Sequence, residues 1–106
     1  MIAFHTAILF DDAAGLAASL ASTLARYQPL YQGSADHLVS RAFYFSDPEG
    51  NGVELYVDRP RDEWTWRDGQ VEMATLALNP MDFLRENLTA EAADAVGVQF
   101  DAPLPE

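Results

Sequence analysis

Two residues whose side chains are typical metal ligands, His5 and Glu54, lie in segments that alternate like β-strands. Alternation places each of them on the face opposite to a row of larger apolar side chains. Those two rows are Phe4, Ile8 and Phe10 in the first strand and Val53, Leu55 and Val57 in the last. If both rows pack on one helix, His5 and Glu54 share the other face of the sheet, where an imidazole and a carboxylate suit a divalent metal ion.

The ordinary interpretation of such residues is different. A single strand histidine is more often a hydrogen-bonded residue, and a single strand glutamate is more often solvated or paired across strands. Two ligands are also fewer than the three or four protein ligands of a stable site. His5 and Glu54 therefore amount to about half of a metal site.

Two further residues are candidates for acid/base or substrate-orienting roles on the same face. His37 precedes a strand, where it is either a turn histidine bonded to local backbone or a group that moves protons. Tyr44 shares strand parity with Ala42 and Ser46, so it either packs in the core or donates its hydroxyl to a bound oxygen.

The elements that must position these residues follow in the order strand, helix, three strands. Residues 2–10 form the first strand, and Asp11 and Asp12 can cap the helix after it. Apolar residues spaced by three and four indicate the helix, which Gln28-Pro29 ends. Its apolar stripe consists of Ala13, Leu16, Ala17, Leu20, Leu24 and Tyr27. The remaining predicted segments are a short strand at 30–32, a turn at 33–36, a strand at 39–46, a hairpin turn at 47–52 and a strand at 53–58.

The composition changes after residue 60, so we divide the chain into a module at 1–60 and a C-terminal extension at 61–106. In the extension we predict a turn at 67–69, a short strand at 70–75, a helix begun by Asn79-Pro80 and another capped by Thr89. Trp64 and Trp66 are predicted to be packing or interface residues. Residues 100–106 should form a loose acidic tail. The predicted fold class is α+β, with a single βαβββ module and a short helical extension.

Charge and composition exclude several classes of protein. The chain has 106 residues, six basic and seventeen acidic, with a formal net charge of −11, which repels nucleic-acid phosphates and anionic lipid. No cysteine is present, which excludes thiolate catalysis and zinc–thiolate sites. The apolar runs are too short to span a bilayer, and no secretory signal is evident, so we expect a cytoplasmic protein.

Residues 36–64, DHLVSRAFYFSDPEGNGVELYVDRPRDEW, resemble the end of a module of the vicinal oxygen chelate superfamily, which includes glyoxalases, bleomycin-resistance proteins and extradiol dioxygenases. The opening AFHTAILF and the helix after it resemble the start of the same module. The DRPRDEW and MATLALNPMDFL segments are similar to the region that follows the second module in two-domain proteins of the catechol 2,3-dioxygenase type.

The resemblance implies a role for each candidate residue. His5 and Glu54 match metal ligands, so the implied cofactor is a divalent metal: iron, manganese, nickel, cobalt or zinc. Tyr44 matches a tyrosine that contacts a substrate oxygen. His37 lies two residues nearer to the glutamate than the acid/base histidine of ring-cleaving relatives does.

Family active sites are built between two modules, and this chain has one. The resemblance therefore implies a homodimer or another partner module, with a His₂Glu₂ ligand set if two copies pair about a two-fold axis. The expected function is metal-dependent chemistry on a small substrate with vicinal oxygens, of the ring-cleaving dioxygenase or lyase type. The alternatives are a dimer that sequesters a small molecule without turnover, as bleomycin-resistance proteins do, and an inactive remnant.

Overall fold

A computed structural model describes residues 5–27 and 30–97, and its first part is a strand, a helix and three further strands. These are β1 (His5–Phe10), α1 (Ala13–Tyr27), β2 (Tyr31–Asp36), β3 (Ser40–Ser46) and β4 (Gly52–Asp58). The predicted α+β fold class and the βαβββ order are confirmed.

The extension contributes short elements. These are a 3₁₀ turn (Arg61–Glu63), β5 (Trp66–Arg67), β6 (Gln70–Val71), β7 (Leu76–Ala77), α2 (Pro80–Asn87) and α3 (Ala90–Val96). β5 and β6 form a separate hairpin, whose turn residues Asp68 and Gly69 both have positive φ, as a tight primed turn requires. No helix in residues 5–27 or 30–97 is long and apolar enough to cross a membrane.

The main sheet has the order β1-β4-β3-β2-β7. β1 and β4 are parallel, whereas β4–β3, β3–β2 and β2–β7 are antiparallel. The chain crosses from β1 toward β4 by way of α1 and two strands, so the sequence-distant β1 and β4 lie side by side. The two edges of this sheet differ, because β1 presents six residues and β7 only two.

Helix α1 covers one face of the sheet. Asp12 accepts a hydrogen bond from the backbone N–H of Gly15 at 2.7 Å, which confirms the predicted capping role for Asp12. The helix buries an apolar stripe against the two central strands, and this contact forms the core. Its buried members are Leu16, Ala17, Leu20 and Ala21 from α1 with Phe43, Phe45, Leu55 and Val57 from β3 and β4.

The prediction of a turn at residues 33–36 was wrong, whereas the short strand predicted at 30–32 is the start of β2. Residues 33–36, expected to form a turn, belong to β2, and the register shifts between Tyr31 and Gly33. Such an irregularity places an extra residue in one strand of the pair. Gly33, which would otherwise favour a turn, is thereby included in β2. The hydroxyl of Ser34 donates to the carbonyl of Leu78 and lies 2.8 Å from the hydroxyl of Tyr31, so tertiary contacts satisfy this polar segment.

The two C-terminal helices begin as predicted. Asn79 accepts hydrogen bonds from the N–H groups of Met81 and Asp82, and Thr89 accepts one from Ala92. The strand predicted at 70–75 is shorter, because only Gln70–Val71 pairs as β6.

Helix α2 packs against the same core as α1. Phe83 is 1% exposed, and its ring meets that of Phe43 edge-on with centroids 4.9 Å apart. Leu84 and Leu88 complete this contact. The extension and the module therefore share one hydrophobic cluster.

We expect Phe83→Ala to lower the free energy of unfolding by about 3–5 kcal/mol, because it opens a cavity between α2 and β3. Met81→Ala, on the same helix but 41% exposed, should cost less than about 1 kcal/mol. Urea unfolding of both variants measures the difference. Equal losses would show that α2 is not part of the core.

Candidate functional site

His5 and Glu54 lie in contact on the face of the sheet that α1 does not cover. In the parallel β1–β4 pair, Ala7 is the register partner of Glu54, so His5 is its diagonal neighbour. His5 Nε2 is 3.1 Å from Glu54 Oε1, and the two side chains are 56% and 21% exposed. The predicted shared face is therefore confirmed.

The shared face follows from the burial of the alternate residues of β4. Leu55 and Val57 are buried in the cluster with α1, and Val53 packs against it. This leaves Glu54 on the opposite side. Ile8, which we expected to pack on the helix, is not among the buried core residues. At the edge of the sheet it is 43% exposed, and only Phe10 of the described β1 residues contacts the core.

Gly52 determines how the imidazole of His5 lies. The two residues are register partners, and a Cβ added to Gly52 would stand 3.0 Å from His5 Nδ1. The ring therefore rests over a position that has no side chain, with Nδ1 against the backbone and Nε2 toward Glu54. Any other residue at position 52 would push against the ring.

Tyr44 extends the site onto β3. It is the antiparallel register partner of Glu54, so the two side chains project from the same face. Burial, and then the negative charge of Glu54, raise the pKa of the Tyr44 hydroxyl above its ordinary value. The hydroxyl therefore keeps its proton to higher pH than a free tyrosine does.

His37 reaches the same face from the loop between β2 and β3. Its Nε2 lies 3.1 Å from the hydroxyl oxygen of Tyr44, and its Nδ1 lies 3.1 Å from the carbonyl oxygen of Ala74. His37 is therefore not a turn histidine bonded only to local backbone, because Ala74 is distant from it in sequence. The four predicted residues form one series across the sheet: His5, Glu54, Tyr44 and His37.

The loop that carries His37 is fixed by Asp36. One carboxylate oxygen of Asp36 accepts the N–H of Leu38 at 2.9 Å, and the other accepts a hydrogen bond from Arg59. Leu38 has a φ of 71°, an uncommon conformation that this hydrogen bond supports. Burial would raise the pKa of Asp36, but the bonds from Arg59 and Leu38 outweigh it, and the pKa lies below its ordinary value.

The sequence prediction missed four contributors to this site: Gly52, Asp36, Arg59 and the carbonyl of Ala74. Gly52, two residues before the strand glutamate, was visible in the sequence and could have suggested close approach. A backbone carbonyl carries no residue-type signal, so the role of Ala74 could be found only from the fold.

The donor set of this face fits a divalent ion in part. An imidazole and a carboxylate in contact are a common pair of ligands for such ions. Within residues 5–27 and 30–97, however, no group of three or more His, Cys, Asp or Glu side chains could hold a metal. The described residues therefore supply two of the three or four protein donors that a stable site usually has.

A cavity of about 190 Å³ lies on the other side of the sheet. Its wall includes Phe45, Val53 and Leu55, whose side chains face α1. It therefore does not open onto the face that carries His5 and Glu54, and we do not assign it to the site.

A βαβββ module with a histidine on its first strand and a glutamate on its last, in contact on one face, is what the resemblance to the vicinal oxygen chelate superfamily implies. The chain is 42% identical over 84 residues to catechol-2,3-dioxygenase of Bacillus subtilis (strain 168). This match confirms the predicted resemblance to proteins of the catechol 2,3-dioxygenase type.

The matched region is 78% of this chain and 29% of the relative, so the chain spans less than a third of that protein's length. No family model matches the chain. No solved structure matches it either.

We expect Gly52→Ala to displace the His5 ring by a few tenths of an ångström and lengthen its contact with Glu54, because the new Cβ meets Nδ1. The ¹⁵N resonances of the imidazole of His5 measure this effect. His37, which has no contact with Gly52, is the internal control and should keep its resonances. Equal shifts of both histidines would indicate a general disturbance of the fold and contradict the local explanation.

Asp36 should make the stability of the protein depend on acid pH. Because its pKa is lower in the folded chain than its ordinary value of 3.8, the stabilisation is complete above that value and is lost as pH falls through the folded-state pKa. Asp36→Asn should cost about 1 kcal/mol at neutral pH and flatten the acid part of the profile.

Urea unfolding from neutral to acid pH measures this dependence. Arg59→Gln should flatten the acid limb in part, because it removes one partner of Asp36 and leaves the hydrogen bond from Leu38. An Asp36→Asn profile that runs parallel to the parent at every pH would contradict the assignment.

Proposed function

We propose that His5 and Glu54 are half of a divalent-metal site that a second module completes, in a protein that acts on a small substrate with two neighbouring oxygens. The observation that carries the proposal is the 3.1 Å contact between His5 Nε2 and Glu54 Oε1 on a face continued by Tyr44 and His37. Because the relative is named a catechol-2,3-dioxygenase, we favour a ring-cleaving dioxygenase over a lyase.

The exposure of the pair supports an incomplete site. A carboxylate and an imidazole that served only the fold would gain little from a surface contact of this kind. As metal ligands, they need open positions for further donors and for substrate, and the 56% exposure of His5 leaves such positions. A bound divalent ion would supply Lewis-acid polarisation of the substrate oxygens.

Tyr44 and His37 line the approach to the pair. Tyr44 is the register partner of Glu54, and the Tyr44 hydroxyl oxygen lies 3.1 Å from Nε2 of His37. We infer that these two residues orient an oxygen of the substrate and exchange a proton with it.

The second module, we infer, pairs along β1. Of the two edge strands of the main sheet, β7 is too short to accept a long partner, whereas β1 presents six residues. Ile8 and Leu9, which point to opposite faces, are 43% and 53% exposed. A second copy on this edge, related by a two-fold axis, would bring another His5 and Glu54 toward the first pair.

The test is native mass spectrometry of the purified chain with added Fe²⁺, Mn²⁺ or Zn²⁺. We expect a dimer that binds metal, and we expect His5→Ala and Glu54→Gln to remove the metal without unfolding the protein, because each deletes a donor. Glu49→Gln, on the exposed hairpin turn, is the matched control and should bind as the parent does.

Two edge variants in the same assay locate the interface. Ile8→Lys on β1 and Leu76→Lys on β7 add the same charge at positions that are 43% and 48% exposed. Only Ile8→Lys should give monomers and lose the metal with the dimer. A monomeric parent without metal would refute the proposal. Catechol binding that survives a chelator and Glu54→Gln would replace it with the sequestering function.

A further inference from the structure

We propose that the backbone carbonyl of Ala74 fixes the tautomer of His37 and thereby makes Tyr44 a hydrogen-bond acceptor toward any group bound on the site face. Ala74 is then a positioning residue that acts through His37 and Tyr44. The inference rests on the proposed function only in taking this face as the one that binds a ligand.

The direction of the bonds follows from what each partner can do. A carbonyl oxygen can only accept, so His37 Nδ1, at 3.1 Å from that of Ala74, must carry the hydrogen. In a neutral imidazole the other nitrogen then has a lone pair and no hydrogen. The hydroxyl of Tyr44, at 3.1 Å from Nε2, must therefore donate its one proton to His37.

The carbonyl of Ala74 is held on both sides. We call residues 72–78 the strap. Before Ala74, the N–H of Glu72 donates to the carbonyl of Thr65 at 2.8 Å. After it, Leu76 and Ala77 pair with β2, and the hydroxyl of Ser34 donates to the carbonyl of Leu78. The N–H of Ala74 also donates to the carbonyl of His37 at 3.4 Å. The strap and the loop that carries His37 therefore each donate a hydrogen bond to the other.

This arrangement limits what the site can bind. With its proton directed to His37, Tyr44 offers only lone pairs to the open side of the face. Its neighbour Glu54 presents carboxylate oxygens, which also accept. A ligand group that lies over Tyr44 must therefore donate, as a neutral hydroxyl does. A carbonyl or carboxylate oxygen in that place would face acceptors and find no donor.

His5 provides an internal contrast. Its Nε2 lies 3.1 Å from a carboxylate oxygen of Glu54, which accepts, so the hydrogen of neutral His5 is on Nε2. The two histidines of the chain should therefore hold opposite tautomers. A tautomer set by general solvation would not differ between them in this way.

The experiment is two-dimensional NMR of the full chain labelled with ¹⁵N in its histidines, without metal or substrate and at mildly alkaline pH. Each imidazole shows which nitrogen is protonated through the pattern of its ¹⁵N shifts and couplings to the ring protons. His5→Gln assigns the two spin systems, because the chain contains only two histidines. We expect His37 to be protonated at Nδ1 and His5 at Nε2.

Tyr44→Phe separates the effect of Ala74 from that of Tyr44. The variant removes the hydroxyl and leaves the carbonyl of Ala74 in place, so His37 should keep its Nδ1–H tautomer while its Nε2 resonance shifts with the loss of a donor. A change to the Nε2–H tautomer in this variant would overturn the proposal. So would an Nε2–H or averaged His37 in the parent.

These outcomes do not depend on the proposed function. The tautomers are observed in the free protein, so a chain that binds no metal and turns over nothing would refute the function and leave the result for His37 intact. A chain that binds metal but holds His37 as the Nε2–H tautomer would support the proposed function and refute the inference about Ala74.

Discussion

The register of β4 is the constraint on which the site depends. Its residues alternate between the cluster under α1, where Leu55 and Val57 are buried, and the face that carries Glu54. A slip of one residue would place the carboxylate of Glu54 among buried phenylalanines and expose Leu55 and Val57. The cost in free energy would be on the order of several kcal/mol, comparable to the stability of a small domain. Core packing thus fixes the register, and the register places Glu54 beside residues of both neighbouring strands.

The alternation that sets this register is visible in the sequence, and so the central part of the site could be predicted. The two strands that carry His5 and Glu54 have clear apolar rows, and a proline-ended helix between them suits the crossover connection of a βαβββ module. For Tyr44 the same reasoning gave only the strand parity that it shares with Ala42 and Ser46, and left open whether that side is the core or the site. It needed only the period of two and the identity of the buried residues, which local sequence supplies.

The other half of the site could not be predicted, because it depends on contacts between distant segments. The polar run at residues 33–36 has the composition of a turn, yet Ser34 and Asp36 find partners at Leu78 and Arg59 that make a strand possible. β7 contains two residues and has no periodicity to detect. It forms only because β2 offers an edge, and with it comes the carbonyl that contacts His37.

The position of β1 has a consequence for the dynamics of the molecule. His5 is on an edge strand that the core hardly covers, whereas Glu54 is on a strand with neighbours on both sides. Backbone amides of such a poorly packed edge open to exchange with solvent at a smaller free energy than those of the central strands. In an isolated chain, partial opening of β1 would separate the imidazole from the carboxylate while the cluster around Phe43 and Phe83 stays folded. The integrity of the pair would then follow the local stability of one strand, and not the global stability of the fold.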